Sequence, residues 1–374
     1  MKKKLLLLPV LLLAALLVVT AAAAGGGADD PLISLDYLTS VFAPRAEQAA
    51  QDKVDAAGER VYAAAEESWR GAVAAAEAAA GTERASTWRE TRLKHGDLLS
   101  GVTGTQVMTL AGVVSTQFSS GSVIDVTTGT EIPSGSELTP RHRYLVAEDT
   151  AALFTAVSRT AVVEYCGDYH FSFSGTAPDY NAMAAALKTL HLFRGTDTSF
   201  GEGFDLELAP TRIEALVMLI RMLGEEDAAL RCESPAPFTD ITPNYWGRAY
   251  VAYAYEKGYT NGVGDGLFGG DRPASALMYV EFILRALGYS DTTHTDISDA
   301  VQRARSLDVI TEGEQAVLES VDFLRADIVY LSWYALDVPV AQDMQPLYRK
   351  LEDMGVFTGA EYRTAKALVT SSRL

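Results

Sequence analysis

Thr211, Arg212, Ile213 and Glu214 are the residues whose types and spacing best suit binding chemistry. Thr211 is a good helix N-cap, and Glu214 three residues later completes a capping box. Arg212 then takes the first helical position, where the helix dipole disfavours a cation. An anion docked there, contacted by backbone N–H groups and the guanidinium together, turns that cost into an attraction. The alternative is an arginine that reaches an Asp or Glu on the unit packed beside it.

Other chemistry is hard to find. The histidines (His95, His142, His170, His191, His294) are scattered, with no H-x-x-x-H or C-x-x-C spacing, so no metal site is implied. No G-x-S-x-G nucleophile motif occurs. The loop Gly262-Val263-Gly264-Asp265-Gly266 has no lysine in the phosphate-loop position, and Asp265 and Asp271 are too few for a calcium loop. Glu225-Glu226 and Asp29-Asp30 read as solvated charges. The expectation is a protein without catalysis, cofactor or metal.

The elements that must position Arg212 recur along the chain. Phe238 to Gly288 reads as a helix, a glycine-rich turn and a second helix. Tyr245, Trp246, Ala249, Tyr250, Tyr253 and Ala254 fall at helical spacing, and Gly258 sits where a left-handed C-cap belongs. Leu277, Val280, Ile283, Leu284 and Leu287 form a second apolar stripe ending at Gly288. Upstream, His191-Leu192-Phe193-Arg194-Gly195 aligns with Gly258-Tyr259-Thr260-Asn261-Gly262, and Arg221-Met222-Leu223-Gly224 with Arg285-Ala286-Leu287-Gly288. Downstream, Asp308-Val309-Ile310-Thr311 follows a first helix, and Leu324-Arg325-Ala326-Asp327 opens a second. Three units of two helices, at about 179–224, 238–288 and 294–336, constitute an internal repeat.

The order F-x-D…W…G…G-x-x-D-G-x-F…R-A-L-G in the second unit resembles the S-layer homology repeat, a module that holds proteins on bacterial surfaces. The resemblance covers residues 179 to 336 and implies three repeats about a pseudo-threefold axis. It also implies intervening grooves that take a secondary cell-wall polysaccharide, often bearing an acidic pyruvate ketal. Carried over by position, Thr211, Arg212 and Glu214 match the ligand-anchoring motif of the first repeat and Arg325 that of the third. The second repeat has Ser275-Ala276-Leu277-Met278 there and lacks the arginine, but keeps Asp240, Trp246 and Gly262 at groove-lining positions. The first repeat has no such tryptophan, so one or two working grooves are expected. Trp246 itself reads either as core, as aromatics in amphipathic helices usually are, or as a ring that also stacks on sugar.

Length and composition bound the rest. The 374 residues suffice for two or three domains with real cores, and 48% apolar residues favour a folded chain. The net charge of −18 argues against nucleic acid, and requires any binding of an anionic polymer to come from local cationic pockets. Lys2, Lys3 and Lys4 precede an apolar run and the small residues Ala21 to Ala24, the pattern of an export signal over residues 1–24. Leu5 to Ala24 is long enough to act instead as an uncleaved anchor, the one route to a membrane. Cys166 and Cys232 either pair or remain buried thiols.

The fold expected is α+β and multidomain. Residues 32–94 read as an Ala-rich helix, with fifteen alanines among the thirty-six residues from Arg45 to Ala80. It serves either as a spacer or as a helix folded back on its neighbours. Residues 96–175 read as a small all-β domain, with strands at Gln106–Leu110, Val113–Phe118, Ser122–Val126, Arg143–Ala147, Ala161–Tyr165 and His170–Phe173 between turn clusters. The all-α repeats follow, and a helical tail over 337–374 is expected to cap the last one. The function expected is wall attachment outside the cell, with the polysaccharide linked to peptidoglycan as partner. The alternatives are a surface enzyme or adhesin acting through the β-domain, and a protein-interaction scaffold whose repeats no longer bind glycan.

Overall fold

The computed structural model describes residues 83–374, apart from 176, 199, 200, 295 and 321, together with scattered positions between 41 and 61. The chain divides into two compact units, Met1–Ala79 and Ala80–Leu374. In the first, the described positions between 41 and 61 are helical. The expected signal segment and most of the Ala-rich helix lie outside the described residues. No helix among the described residues is long and apolar enough to cross a membrane.

The second unit opens with strand where helix was expected. β1 (Glu83–Lys94) buries Ala85 and Leu93 and pairs antiparallel along β9 (Thr160–Ser172). Its run of Arg and Glu is compatible with a helix locally, but partners distant in sequence decide β structure. Between them lie β2 (Leu98–Val102), β3 (Gln106–Ala111), β4 (Val114–Gln117), β5 (Ser122–Asp125), β6 (Thr130–Ile132), β7 (Arg143–Ala147) and β8 (Ala151–Ala156). They form one antiparallel sheet in the order β4-β8-β2-β9-β3-β7-β5-β6. β9 is the spine, because β1 follows one edge while β3 and then β2 pair along the other. The two short strands expected at its ends are therefore a single strand of 13 residues. Strict alternation in β3 buries Val107 and Thr109, and Leu99, Val123, Tyr144, Val146 and Phe154 complete the core.

The helical region begins with α1 (Tyr180–Thr189) and the hairpin β10 (Thr196–Thr198) and β11 (Gly201–Gly203), then α2 (Arg212–Met222) and α3 (Glu226–Leu230). α4 (Arg248–Glu256) and α5 (Ala276–Ala286) make the second pair, joined by the glycine loop. α6 (Ala300–Ser306) and α8 (Arg325–Ala335) make the third, with α7 (Glu312–Ser320) between them. α2, α5 and α8 each contact the other two. The Tyr279 and Ser332 hydroxyls lie 2.7 Å apart in that core, so a buried polar pair is satisfied where α5 meets α8. α4 packs on α2, α6 on α5, and α1 on α8. The tail holds α9 (Leu347–Asp353) and α10 (Gly359–Leu368); α10 lies on α1, while Arg373 pairs with Glu314 of α7. Cys166 and Cys232 are free thiols.

The first helix of each pair ends in the same way. His191, Gly258 and Asp308 adopt left-handed φ values of 62°, 76° and 56°. The next residue's N–H (Leu192, Tyr259, Val309) donates to the carbonyl of Leu187, Ala254 or Ala304, the long bond of a Schellman cap. Backbone geometry thus repeats where side chains do not, and only the second copy uses glycine. Gly258→Ala should lower stability by about 1 kcal/mol, the cost of a left-handed L-residue. Asp308→Gly should be neutral or stabilising. Urea midpoints of the two variants check this, and an unchanged midpoint for Gly258→Ala would contradict the assignment.

Candidate functional site

Local sequence places Arg212 through its cap. Thr211 is extended (φ −77°, ψ 163°), its N–H donates to Glu214 Oε2 at 2.7 Å, and its hydroxyl accepts from the Glu214 N–H. Arg212 is the first helical residue, as its spacing predicts. The backbone donors are placed otherwise than expected: the Arg212 N–H donates to the Arg272 carbonyl at 2.8 Å and Ile213 N–H to that of Gly270 at 3.0 Å. These groups, expected to share a docked anion, are spent on the neighbouring pair, and only the guanidinium remains.

That guanidinium is enclosed. Arg212 is 6% exposed. Its Nη2 donates to Thr260 Oγ1 at 3.1 Å and to the Gly262 carbonyl at 3.3 Å, and its Nε is buried without a hydrogen-bond partner. The Phe268 and Phe282 rings flank it, with centroids at 5.1 and 5.2 Å. Among the described residues no carboxylate forms an ion pair with it, so the arrangement in which Arg212 reaches an acid is not the one present. Burial pushes its pKa down to about 10, helped by the positive charges of Arg285 and Arg272 and opposed by Asp240. Folding lowers the pKa of this base. Its charge therefore weakens the fold below about pH 10, and the penalty fades only as pH rises toward the unfolded value.

The cation faces a groove of about 420 Å³ lined by Asn261, Gly262, Met278, Phe282 and Arg285. Arg285 is held in place by Glu281 Oε1 at 2.8 Å, Asn261 Oδ1 at 3.1 Å and the His294 carbonyl at 2.7 Å. Arg303 also pairs with Glu281. One carboxylate thus answers two arginines, and Arg212 adds a third cation. Thr260, Phe268 and Arg285 were read only as repeat positions, and Phe282 and Glu281 not at all, so none was placed around Arg212; the i, i+4 spacing of Glu281 and Arg285 was the available signal.

The glycine loop sets this geometry. Gly262 has φ 82°, and a Cβ there would fall 2.4 Å from the Leu267 carbonyl oxygen. Asp240 accepts from Phe268 N–H at 2.8 Å and Gly269 N–H at 2.7 Å, one on each carboxylate oxygen. It clips the loop shut from beneath. Trp246 lies in the turn before α4, 61% exposed, stacked on Tyr245 at 6.1 Å. This removes the core reading of Trp246, because its ring is open to solvent. Beside it a cavity of about 450 Å³ is lined by Asp240, Tyr245, Gly270, Asp271 and Arg272. Burial, with the carboxylates of Asp271 and Asp240, pushes the Tyr245 hydroxyl up to about 12.

Arg325 opens α8 as Arg212 opens α2. Its N–H donates to the Leu208 carbonyl and that of Ala326 to Leu206, while its Nε donates to the Phe204 carbonyl at 3.3 Å. Burial lowers its pKa, and the charges of Glu214 and Asp205 counter that. Asp327, in the last position of this cap, accepts from Leu324 N–H at 2.7 Å and pairs with Arg159 of the β-domain. No cluster of His, Cys, Asp and Glu among the described residues could hold a metal ion.

Residues 237–275 match the S-layer homology domain family. A curated relative, a cell surface protein of Thermoanaerobacter kivui, is 35% identical over 117 residues, which is 30% of this chain and 14% of the relative. The chain therefore spans only a small part of that relative's length. Among solved structures, the dTDP-6-deoxy-D-glucose-3,5-epimerase of Legionella pneumophila Philadelphia 1 aligns at 24% identity, covering 24% of this chain and 52% of that one, with a TM-score of 0.17. Procruciferin of Brassica napus aligns at 9% identity over 23% and 22% of the two chains, with a TM-score of 0.16. Scores this low carry no argument about fold or activity.

Because no carboxylate among the described residues pairs with Arg212, its removal should be cheap. Arg212→Met should change stability by less than about 1 kcal/mol, since a buried charge without a partner is costly to keep. Urea unfolding in anion-poor buffer measures this; a loss of several kcal/mol would mean that the charge stabilises the fold.

Proposed function

We propose that this chain, in which an S-layer homology domain occupies residues 237–275, is an exported, non-catalytic protein held on the cell wall. Its helix pairs bind an anionic secondary wall polysaccharide linked to peptidoglycan, and the chain displays its small β-domain from there. The observation that carries the reading is Arg212, a buried guanidinium with an unpartnered Nε facing a groove of about 420 Å³. An acidic group on a sugar, such as a carboxylate ketal, supplies the missing counter-charge and accepts charge-assisted hydrogen bonds. The exposed Trp246 face suits the flat apolar side of a sugar ring.

The packing supports a pseudo-threefold arrangement of three repeats. Each first helix rests on the second helix of the preceding pair, α4 on α2 and α6 on α5, and α1 closes the ring on α8. A surface location is supported by the family matched and by the name of the relative from Thermoanaerobacter kivui.

Sedimentation with purified Gram-positive walls tests the reading. The chain should be retained on walls with intact secondary polymer and not on walls stripped of it by acid. Retention should be lost in the Arg212→Ala/Arg325→Ala variant. Trp246→Ala should weaken retention about tenfold, as expected for truncating an aromatic anchor. Equal behaviour on both kinds of wall would overturn the assignment.

A further inference from the structure

Two positions at the start of each second helix decide the charge where it meets the next pair. They are the first helical residue and the residue three after the cap. In α2 these are Arg212 and Glu214, in α5 Ala276 and Met278, and in α8 Arg325 and Asp327. Hydrogen bonds at the helix starts show which face which. Arg212 and Ile213 donate to the loop before α5, so Arg212 meets the opening turn of α5. Arg325 and Ala326 donate in the same pattern to the loop before α2, so Arg325 meets the opening turn of α2.

Arg325 therefore meets an acid at this position, and Arg212 does not. Glu214 turns back onto its own cap, where the Thr211 N–H donates to it at 2.7 Å, yet its charge still acts on Arg325. The corresponding neighbour of Arg212 is Met278, which lines the groove of about 420 Å³ together with Phe282 one turn further along α5. The Phe282 ring lies 5.2 Å from the Arg212 guanidinium, so this is the face of α5 within its reach. Elsewhere the imbalance is the converse. α5 opens with Ala276 in place of an arginine, and Asp327 of α8 takes its cation from Arg159 of the β-domain.

We infer that Met278 is what makes the Arg212 groove selective for an anion, because it stands where the facing helix would otherwise supply a carboxylate. This rests on the reading given under Proposed function and names the residue that sets the charge of that site. The thioether fills its space without charge, so the attraction of the guanidinium is left for an acidic sugar. An acid at the same place would compete with the ligand from within the chain. The backbone of α5 would accept one: Ser275 is extended (φ −127°, ψ 160°), and its hydroxyl accepts from the Met278 N–H at 3.3 Å, one half of a capping box.

Calorimetric titration of the full chain with a synthetic trisaccharide carrying one pyruvate ketal tests this. Met278→Gln and Met278→Glu both complete the capping box, but only the second brings a charge. Met278→Gln should leave affinity within about threefold of the unaltered chain. Met278→Glu should weaken it at least about tenfold, as for a like charge set beside the bound anion. The methyl ester of the same trisaccharide, which is uncharged, should bind both variants alike. Urea midpoints give a second readout. Met278→Glu should exceed Met278→Gln while Arg212 is present, and should not in the Arg212→Met background. Equal loss of affinity in both variants, or undiminished affinity in Met278→Glu, overturns the role of Met278 while the polysaccharide reading stands. So does a difference in midpoint that survives Arg212→Met. Absence of binding by the unaltered chain removes both.

Discussion

The first N–H groups of a helix need acceptors, and here two of the second helices, α2 and α8, find them on a neighbouring pair. α2 donates to the loop before α5, and α8 to the loop before α2. Hydrogen bonds of this kind fix the depth at which each helix enters its neighbour. They also decide where the first helical side chain goes. Arg212 cannot turn outward along the helix axis, because that direction is occupied by the 270–272 backbone. It runs instead under the glycine loop, between Phe268 and Phe282, and reaches Thr260 and the Gly262 carbonyl.

Everything around that guanidinium follows from sparing it a carboxylate. Asp240 is close enough to matter electrostatically, yet both its oxygens are held by loop N–H groups. Glu214 is turned back onto its own cap, and Glu281 is claimed by Arg285 and Arg303. Three acids in the neighbourhood are satisfied elsewhere, which leaves one cation short of charge in a low-dielectric setting. A site of this kind trades stability for affinity, since the energy missing from the folded chain is available to a ligand.

The helical half was largely legible in the sequence because its signals are local. The Thr211–Glu214 box, the left-handed Gly258 and the loop glycines each impose a backbone conformation within a few residues. The place of Arg212 as the first helical residue was legible for the same reason. Its surroundings were not, because Thr260, Phe268 and Phe282 meet it only through tertiary packing. The backbone donors were misjudged because their acceptors, Gly270 and Arg272, lie about sixty residues away. β1 was missed on the same ground, since Glu83–Lys94 becomes a strand only against β9. Trp246 was placed in a helix by its spacing, but α4 starts two residues later, and the turn before it sets the ring in solvent.

The proposed binding of an anionic polymer by a chain of net charge −18 looks contradictory until distances are considered. At physiological ionic strength, charges separated by more than about 8 Å are largely screened, so the overall acidity acts weakly at the groove. Arg212 acts at contact distance and from a buried position, where screening is poor. The two effects also respond oppositely to salt. Added salt relieves the long-range repulsion before it reaches the buried contact, so binding of a short acidic sugar should depend only shallowly on ionic strength. A steep fall in affinity with salt would instead place the ligand on exposed surface charges and away from the Arg212 groove.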